Sequence, residues 1–229
     1  MQQINTDGGV VGDLLHCLSQ PLTTLHCALE NSLAQEVGDS SEQIQLALSQ
    51  TDRIIEGVRL LREYLTPEPE NPASAGSCIE PVFDEVLSLY SPLAEVRGVR
   101  LLAIGHTHAV ARVRPARLQR SLLYLVETLL ESAQKGDAVV VVLEDRASHS
   151  ILSAHIVSMG PTNPRLPKHG TPRNTLRQAR LAIAQRVFES CGAALEFHSE
   201  EKPGFTIKTR PGPALPPKQS SPRRGACLG

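Results

Sequence analysis

The stretch LLHCLSQPLTTLHCALE, residues 14–30, carries a proline inside an otherwise regular amphipathic helix. Apolar residues recur every three or four positions, the spacing of one helical face, and this leucine face comprises Leu15, Leu18, Leu22, Leu25 and Leu29. A proline in a helix interior costs about 3 kcal/mol, because it has no N–H to donate and crowds the preceding turn. His16 lies one residue past Leu15, about 100° around the helix. The pattern therefore predicts a solvent-facing histidine five residues before Pro21.

A second helix of the same character follows the first. The first helix is predicted over residues 10–37 and ends at Gly38, and a capping box that begins at Ser40 starts a helix over 41–65. This second helix repeats the apolar spacing at Ile44, Leu48, Thr51, Ile54 or Ile55, Val58, Leu61 and Leu65. Because two antiparallel helices with one apolar face each cannot close a core, we expect the hairpin to dimerise into a four-helix bundle.

The rest of the chain has a different texture. After residue 78, helical and strand patterns alternate in the order α-β-α-β-β-α-β-β, which favours an α+β fold with helices layered over one mixed sheet, an α/β sandwich. The predicted organisation is a flexible N-terminus (1–9), the helical hairpin (10–66), a Pro/Ala/Ser-rich linker (67–77), the sandwich (78–210) and a Pro-rich disordered tail (211–229).

Composition excludes several classes of function. A formal net charge of −1 provides no field that would recruit nucleic acid or an anionic membrane. The five scattered cysteines are typical of reduced thiols, and no apolar run approaches the roughly 18 residues of a membrane span. We therefore expect a cytoplasmic protein with neither nucleic acid nor membrane as a partner.

The segment His16-Cys-Leu-Ser-Gln-Pro21 resembles the H-box of bacterial sensor histidine kinases of two-component systems, in which a phosphorylated histidine precedes a proline by five residues. Residues 79–210 are similar to the ATP-binding domain of these kinases in the order and spacing of their helices and strands. The resemblance implies that His16 is the phosphoacceptor. It also implies that Gln20, one turn further on, contacts the docked partner or orients a hydrolytic water.

The ATPase-like half lacks the polar groups with which these kinases bind nucleotide. Its degenerate positions are Tyr124, Thr128 and Glu131 for the magnesium-holding asparagines and the basic residue, Ser158 and Thr162 in the adenine-reading Asp-x-Gly-x-Gly, and Gln178 and Arg180 for the phosphate-cradling Gly-x-Gly. Tyrosine and threonine are poor replacements for amide oxygens at magnesium. Side chains in place of glycines block close approach of a phosphate to the backbone. We expect no bound nucleotide and no cofactor or metal of the protein's own.

The residue after the histidine points the same way. Active kinases place an acidic residue there to orient the imidazole, whereas this chain has Cys17, whose neutral thiol is a weak acceptor. Transfer from a phosphoaspartate is less demanding, because the receiver domain supplies the magnesium ion and the lysine. The resemblance, closest to ChpT-type proteins, thus implies a homodimeric histidine phosphotransferase that relays phosphoryl groups between response-regulator receiver domains, below a sensor or hybrid kinase. A divergent active kinase and a non-catalytic scaffold remain alternatives.

Overall fold

The computed structural model describes residues 7–34, 40–65, 76–158, 172–198 and 203–209. The elements in this part of the chain are α1 (Asp7–Ala34), α2 (Ser40–Leu65), β1 (Ser77–Cys78), α3 (Ile79–Arg97), β2 (Arg100–Gly105), β3 (Val110–Ala111), α4 (Pro115–Ser132), β4 (Ala138–Asp145), β5 (Ser150–Val157), α5 (Pro172–Ser190), β6 (Ala194–Phe197) and β7 (Gly204–Thr209). None of these helices is long and apolar enough to cross a membrane. Thr162 and the predicted linker and tail lie wholly or largely outside the described residues.

Helix α1 continues through Pro21 without a break in its helical backbone. Hydroxyl side chains on either side of the proline bond back by four residues: Ser19 Oγ donates to the carbonyl of Leu15 and Thr23 Oγ1 to that of Ser19, each at 3.0 Å. Such bonds compete with the helical ladder and favour slight bending. Pro21 is buried, so our expectation that it opens the exposed surface beside His16 is wrong, because the proline lies on the opposite, packed side.

Two different faces of α1 carry apolar residues. The face buried within the chain consists of Val10, Leu14, Cys17, Pro21 and Ala28. On the leucine face, Leu15, Leu22 and Leu29 remain 50–52% exposed. Helix α2 exposes a matching set, Ile44, Leu48, Ile55, Val58 and Leu65. The hairpin therefore packs against its own chain with one face and leaves the predicted apolar face open.

The predicted α+β architecture is confirmed. The main sheet has the strand order β2-β4-β5-β7-β6, in which β2 and β4 are parallel and the other neighbours antiparallel. Alternate residues of β4, namely Val139, Val141 and Leu143, are buried under α3, α4 and α5 in one aliphatic core. The short strands β1 and β3, which pair with each other, were missed because two residues carry no periodicity.

Gly105 ends β2 in the left-handed region, at φ +86°, and a Cβ there would overlap the carbonyl oxygen of Leu143 on β4. We expect Gly105→Ala to lower the free energy of unfolding by more than the about 1–2 kcal/mol that left-handed backbone alone costs an L-residue. Gly136→Ala is the matched control, because Gly136 has φ +93° but open space around it. Urea denaturation compares the two, and equal midpoints would refute the steric contribution.

Candidate functional site

Helix α1 presents its candidate phosphoacceptor to solvent. His16 and Gln20 are both exposed, one turn apart, and the Gln20 carbonyl accepts a hydrogen bond from Thr24 Oγ1 at 3.1 Å. The neighbouring Cys17 faces inward, and burial raises the pKa of its thiol despite the nearby charge of Arg53. The residue after the histidine is therefore a neutral, inward-facing thiol rather than an exposed base.

The open end of the hairpin docks on the ATPase-like half. The start of α1 and the end of α2 share a second apolar core with α4 and α5, made of Val10, Leu14, Leu60, Tyr64, Tyr124, Ala179, Ala182 and Ile183. Arg186 of α5 closes this contact: its guanidinium lies 4.1 Å from the centre of the Tyr64 ring, and its Nη1 donates to the Tyr64 carbonyl at 3.0 Å. A cation over an aromatic face is favourable, and a cation also suits the carbonyl end of α2.

Arg180 joins three elements at the centre of this contact. Its guanidinium lies 3.3 Å from a carboxylate oxygen of Glu56 on α2, and 3.2 Å and 3.3 Å from those of Glu127 and Glu131 on α4. The Arg180 side chain is only 11% exposed. We call these four residues the Arg180 cluster. Because the ions are largely withdrawn from water, each depends on its partners far more than a surface pair would.

Tyr124 forms a second link to α2. Its buried hydroxyl donates to Glu63 Oε2 at 2.7 Å, and Arg120 lies 3.6 Å from the same oxygen. A hydrogen bond to an ionised acceptor is stronger than a neutral one. Burial, together with this carboxylate, raises the pKa of Tyr124 well above its usual range. The phenol thus stays protonated and donating.

The Arg180 cluster holds an excess of negative charge. Burial raises the pKa of Glu127, and the charges of Glu131 and Glu56 add to this effect while Arg180 opposes it. Burial likewise raises the pKa of Tyr90 on α3 to about 12, with Glu127 contributing. One guanidinium faces three carboxylates here, which is an environment that disfavours further anions.

The structure brings some of the sequence-predicted positions together and leaves others apart. Tyr124, Glu131 and Arg180 meet at the contact with α2, and Thr128 is buried beneath them with its hydroxyl bonded to the Tyr124 carbonyl at 2.8 Å. Ser158, just after β5, and Gln178 on α5 are exposed.

Sequence reasoning missed the acidic partners. Glu56 and Glu63 lie seven residues apart, and Glu127 and Glu131 four apart, so each pair occupies one face of its helix. This spacing was the available signal. It could not reveal which cation the acidic faces share, because Arg180 lies 124 positions from Glu56.

Comparison with solved structures identifies the fold. Searches with protein-family models and against curated proteins find no match. The histidine kinase AdeS of Acinetobacter baumannii is similar to the chain with a TM-score of 0.64 and 17% sequence identity, over 85% of this chain and 97% of that one. Histidine kinase ThkA, solved in complex with the response regulator protein TrrA, is similar with a TM-score of 0.66 and 13% identity, over 90% of this chain and 62% of that one. The chain thus has the hairpin-plus-ATPase-like fold of two-component histidine kinases.

Replacing Arg180 tests how much the cluster stabilises the docked arrangement. We expect Arg180→Met to lower the free energy of unfolding by about 3 kcal/mol at neutral pH, because three partly buried carboxylates lose their cation. The deficit should shrink as pH falls, since protonation of these glutamates removes the uncompensated charge and the raised pKa of Glu127 makes it protonate early. Chemical denaturation across pH measures both effects.

Arg146→Met is the matched control. Arg146 pairs with Glu144 at 3.0 Å, but both side chains are about half exposed, so its loss should cost less than about 1 kcal/mol. An equal loss in the two variants, or a deficit in Arg180→Met that does not change with pH, would contradict the assignment.

Proposed function

We propose that the protein is a cytoplasmic histidine phosphotransferase of a two-component phosphorelay, which passes phosphoryl groups between receiver-domain aspartates through His16 without binding ATP. One observation carries this proposal. The positions at which kinases of this fold bind nucleotide are occupied here by side chains that bind α2, while the hairpin keeps an exposed histidine.

The Arg180 cluster does not fit a magnesium–nucleotide group. A triphosphate at this position would meet the carboxylates of Glu56, Glu127 and Glu131 and would have to displace Arg180 from all three. Tyr124, at a position where the kinases supply an amide oxygen to magnesium, directs its hydroxyl to Glu63 instead. We therefore route no chemical step through ATP, and the magnesium ion required for transfer belongs to the receiver domain.

The proposed chemistry needs only an exposed imidazole. The lone pair of a neutral His16 ring nitrogen attacks the phosphorus of the receiver's phosphoaspartate. The N–P bond forms as the P–O bond to the aspartate breaks, and the aspartate leaves as a carboxylate. The reverse step delivers the phosphoryl group to a second receiver. Gln20, one turn away and equally exposed, contacts the docked receiver or orients a water molecule.

The structural neighbours support the choice of partner. ThkA is in complex with a response regulator, so a protein of this fold binds a receiver-bearing partner. We extend that partnership to this chain, with a sensor or hybrid kinase upstream. The buried Cys17 argues against the active-kinase alternative, because a neutral thiol cannot replace the acidic residue that orients the histidine.

We propose further that the protein is a homodimer. The leucine face of α1 and the exposed apolar residues of α2 lie on the same hairpin, and an exposed apolar surface of this extent marks an interaction site. Pairing two hairpins through these faces would form a four-helix bundle.

The acceptor role is tested by replacing each exposed histidine of α1 in turn. We expect His16→Ala to accept no acid-labile label from a phosphorylated receiver domain while its thermal unfolding stays unchanged, because His16 is exposed. His26→Ala is the control, since His26 is also exposed and contacts only Glu30, at 3.2 Å among the printed contacts of its helix. Labelled ATP should transfer nothing to either variant or to the wild type.

Three outcomes contradict the proposal in different ways. Labelling lost in His26→Ala but kept in His16→Ala refutes the choice of histidine. Labelling from ATP favours the active kinase. Regulation of the pathway that survives His16→Ala favours the scaffold.

The dimer is tested with Leu22→Asp, which places a charge on the leucine face. Because Leu22 is 51% exposed in the single chain, the variant should fold, whereas burial of its carboxylate in a bundle would abolish pairing. Light scattering should show a lower mass than for the wild type. Leu89→Asp, at an exposed leucine of α3, should leave the mass unchanged, and equal masses for all three proteins would refute the bundle.

A further inference from the structure

Strand β2 is an edge of the main sheet, and no strand in the described part of the chain pairs with its outer side. Residues 101–105 carry no charge, and Leu102 and Ile104 are 42% and 55% exposed. The opposite edge, β6, is different: it has only four residues, and its exposed Glu196 is paired with Lys208 at 2.8 Å. Proteins protect sheet edges with short strands and charges. Strand β6 has both and β2 has neither.

The backbone shows which groups of β2 are free. The N–H of Arg100 donates to the carbonyl of Asp137, just before β4, at 3.0 Å, so Arg100 turns its backbone groups toward β4. Successive residues of a strand point these groups to alternate sides. The N–H and C=O groups of Leu101, Ala103 and Gly105 therefore point away from the sheet.

The side chains of β2 extend an apolar surface on the face of the sheet opposite the helices. Leu101 packs toward the core beside Val139. Leu102 and Ile104 consequently lie on the other face, next to the half-buried Val140 and Val142. The edge thus offers free backbone groups and two adjacent aliphatic side chains.

We propose that β2 pairs antiparallel with β2 of a second copy of this chain, around a two-fold axis at Ala103. In this register Ala103 faces Ala103 and Leu101 faces Gly105, so all the outward backbone groups meet as hydrogen-bonded pairs. Leu102 of one copy faces Ile104 of the other as a non-hydrogen-bonded pair, in which side chains approach most closely. The same five residues satisfy both sides, as a two-fold interface requires.

Charge supports the antiparallel direction. The register places Arg100 of one copy opposite residue 106 of the other. There the Glu80 carboxylate accepts from the backbone N–H of Thr107 at 2.6 Å and contacts His106 Nδ1 at 2.8 Å. These bonds, partly offset by burial, lower the pKa of Glu80 and keep it anionic. A guanidinium thus meets a carboxylate at each end of the paired strands.

Covalent trapping tests the register directly. Facing residues of a hydrogen-bonded antiparallel pair have Cα atoms about 5.5 Å apart, within the range that a disulfide spans. Under mild oxidation, the full chain carrying Ala103→Cys should yield a cross-linked peptide in which residue 103 is joined to residue 103. Ala194→Cys, on the exposed edge strand β6, is the matched control and should yield none.

Sedimentation velocity separates this contact from the helical bundle. In the Leu22→Asp background, pairing through β2 should still produce a dimer at high concentration. Adding Ile104→Lys, which places two cations near the axis, or Ala103→Pro, which removes only an outward N–H, should convert that dimer to monomer. Adding Ala194→Lys should leave it intact.

Two results would overturn the proposal. One is the absence of a 103–103 cross-link. The other is a mass in the Leu22→Asp background that neither Ile104→Lys nor Ala103→Pro changes. A cross-link from residue 103 to a foreign peptide would likewise overturn it, in favour of a strand from another protein.

Discussion

The contact between Arg180 and the carboxylates of α2 and α4 holds the two halves of the molecule together. Burying a guanidinium is unfavourable unless its charge is matched, and Glu56, Glu127 and Glu131 provide that match from two helices. The apolar contacts beneath them could be made in several orientations. Directional ion pairs select one of these, in which α5, α4 and the end of α2 meet. Much of what distinguishes this chain from a nucleotide-binding protein of the same fold follows from that selection.

The same contact divides the hairpin into surfaces with separate roles. Residues such as Leu14 and Leu60 face inward and join the core shared with the ATPase-like half. His16, two positions from Leu14, faces solvent, as do leucines such as Leu22. A helix has room for three such faces because each residue turns the direction by about 100°. The proposed phosphotransfer and dimerisation therefore do not compete with the docking of the hairpin on its own chain.

Local signals in the sequence account for the fold. The spacing of apolar residues predicted both hairpin helices to within a few residues, and the exposure of His16 followed from its offset from Leu15. The position of Pro21 was misjudged, since a sequence pattern does not say which of two apolar faces of α1 packs within the chain. Leu14, Cys17 and Pro21 form one such face, and the leucine face forms the other.

The sequence by itself determined the helical hairpin, the α+β sandwich and the replacement of nucleotide-binding residue types, because each depends on residues close together in the chain. Only the tertiary structure decided what those replacements do. Arg180 and Tyr124 read as mere losses until the fold brings Glu56 and Glu63 against them. Ion pairs and hydrogen bonds between residues far apart in sequence leave no local periodicity. Their partners become visible only when packing of the apolar faces sets the distances.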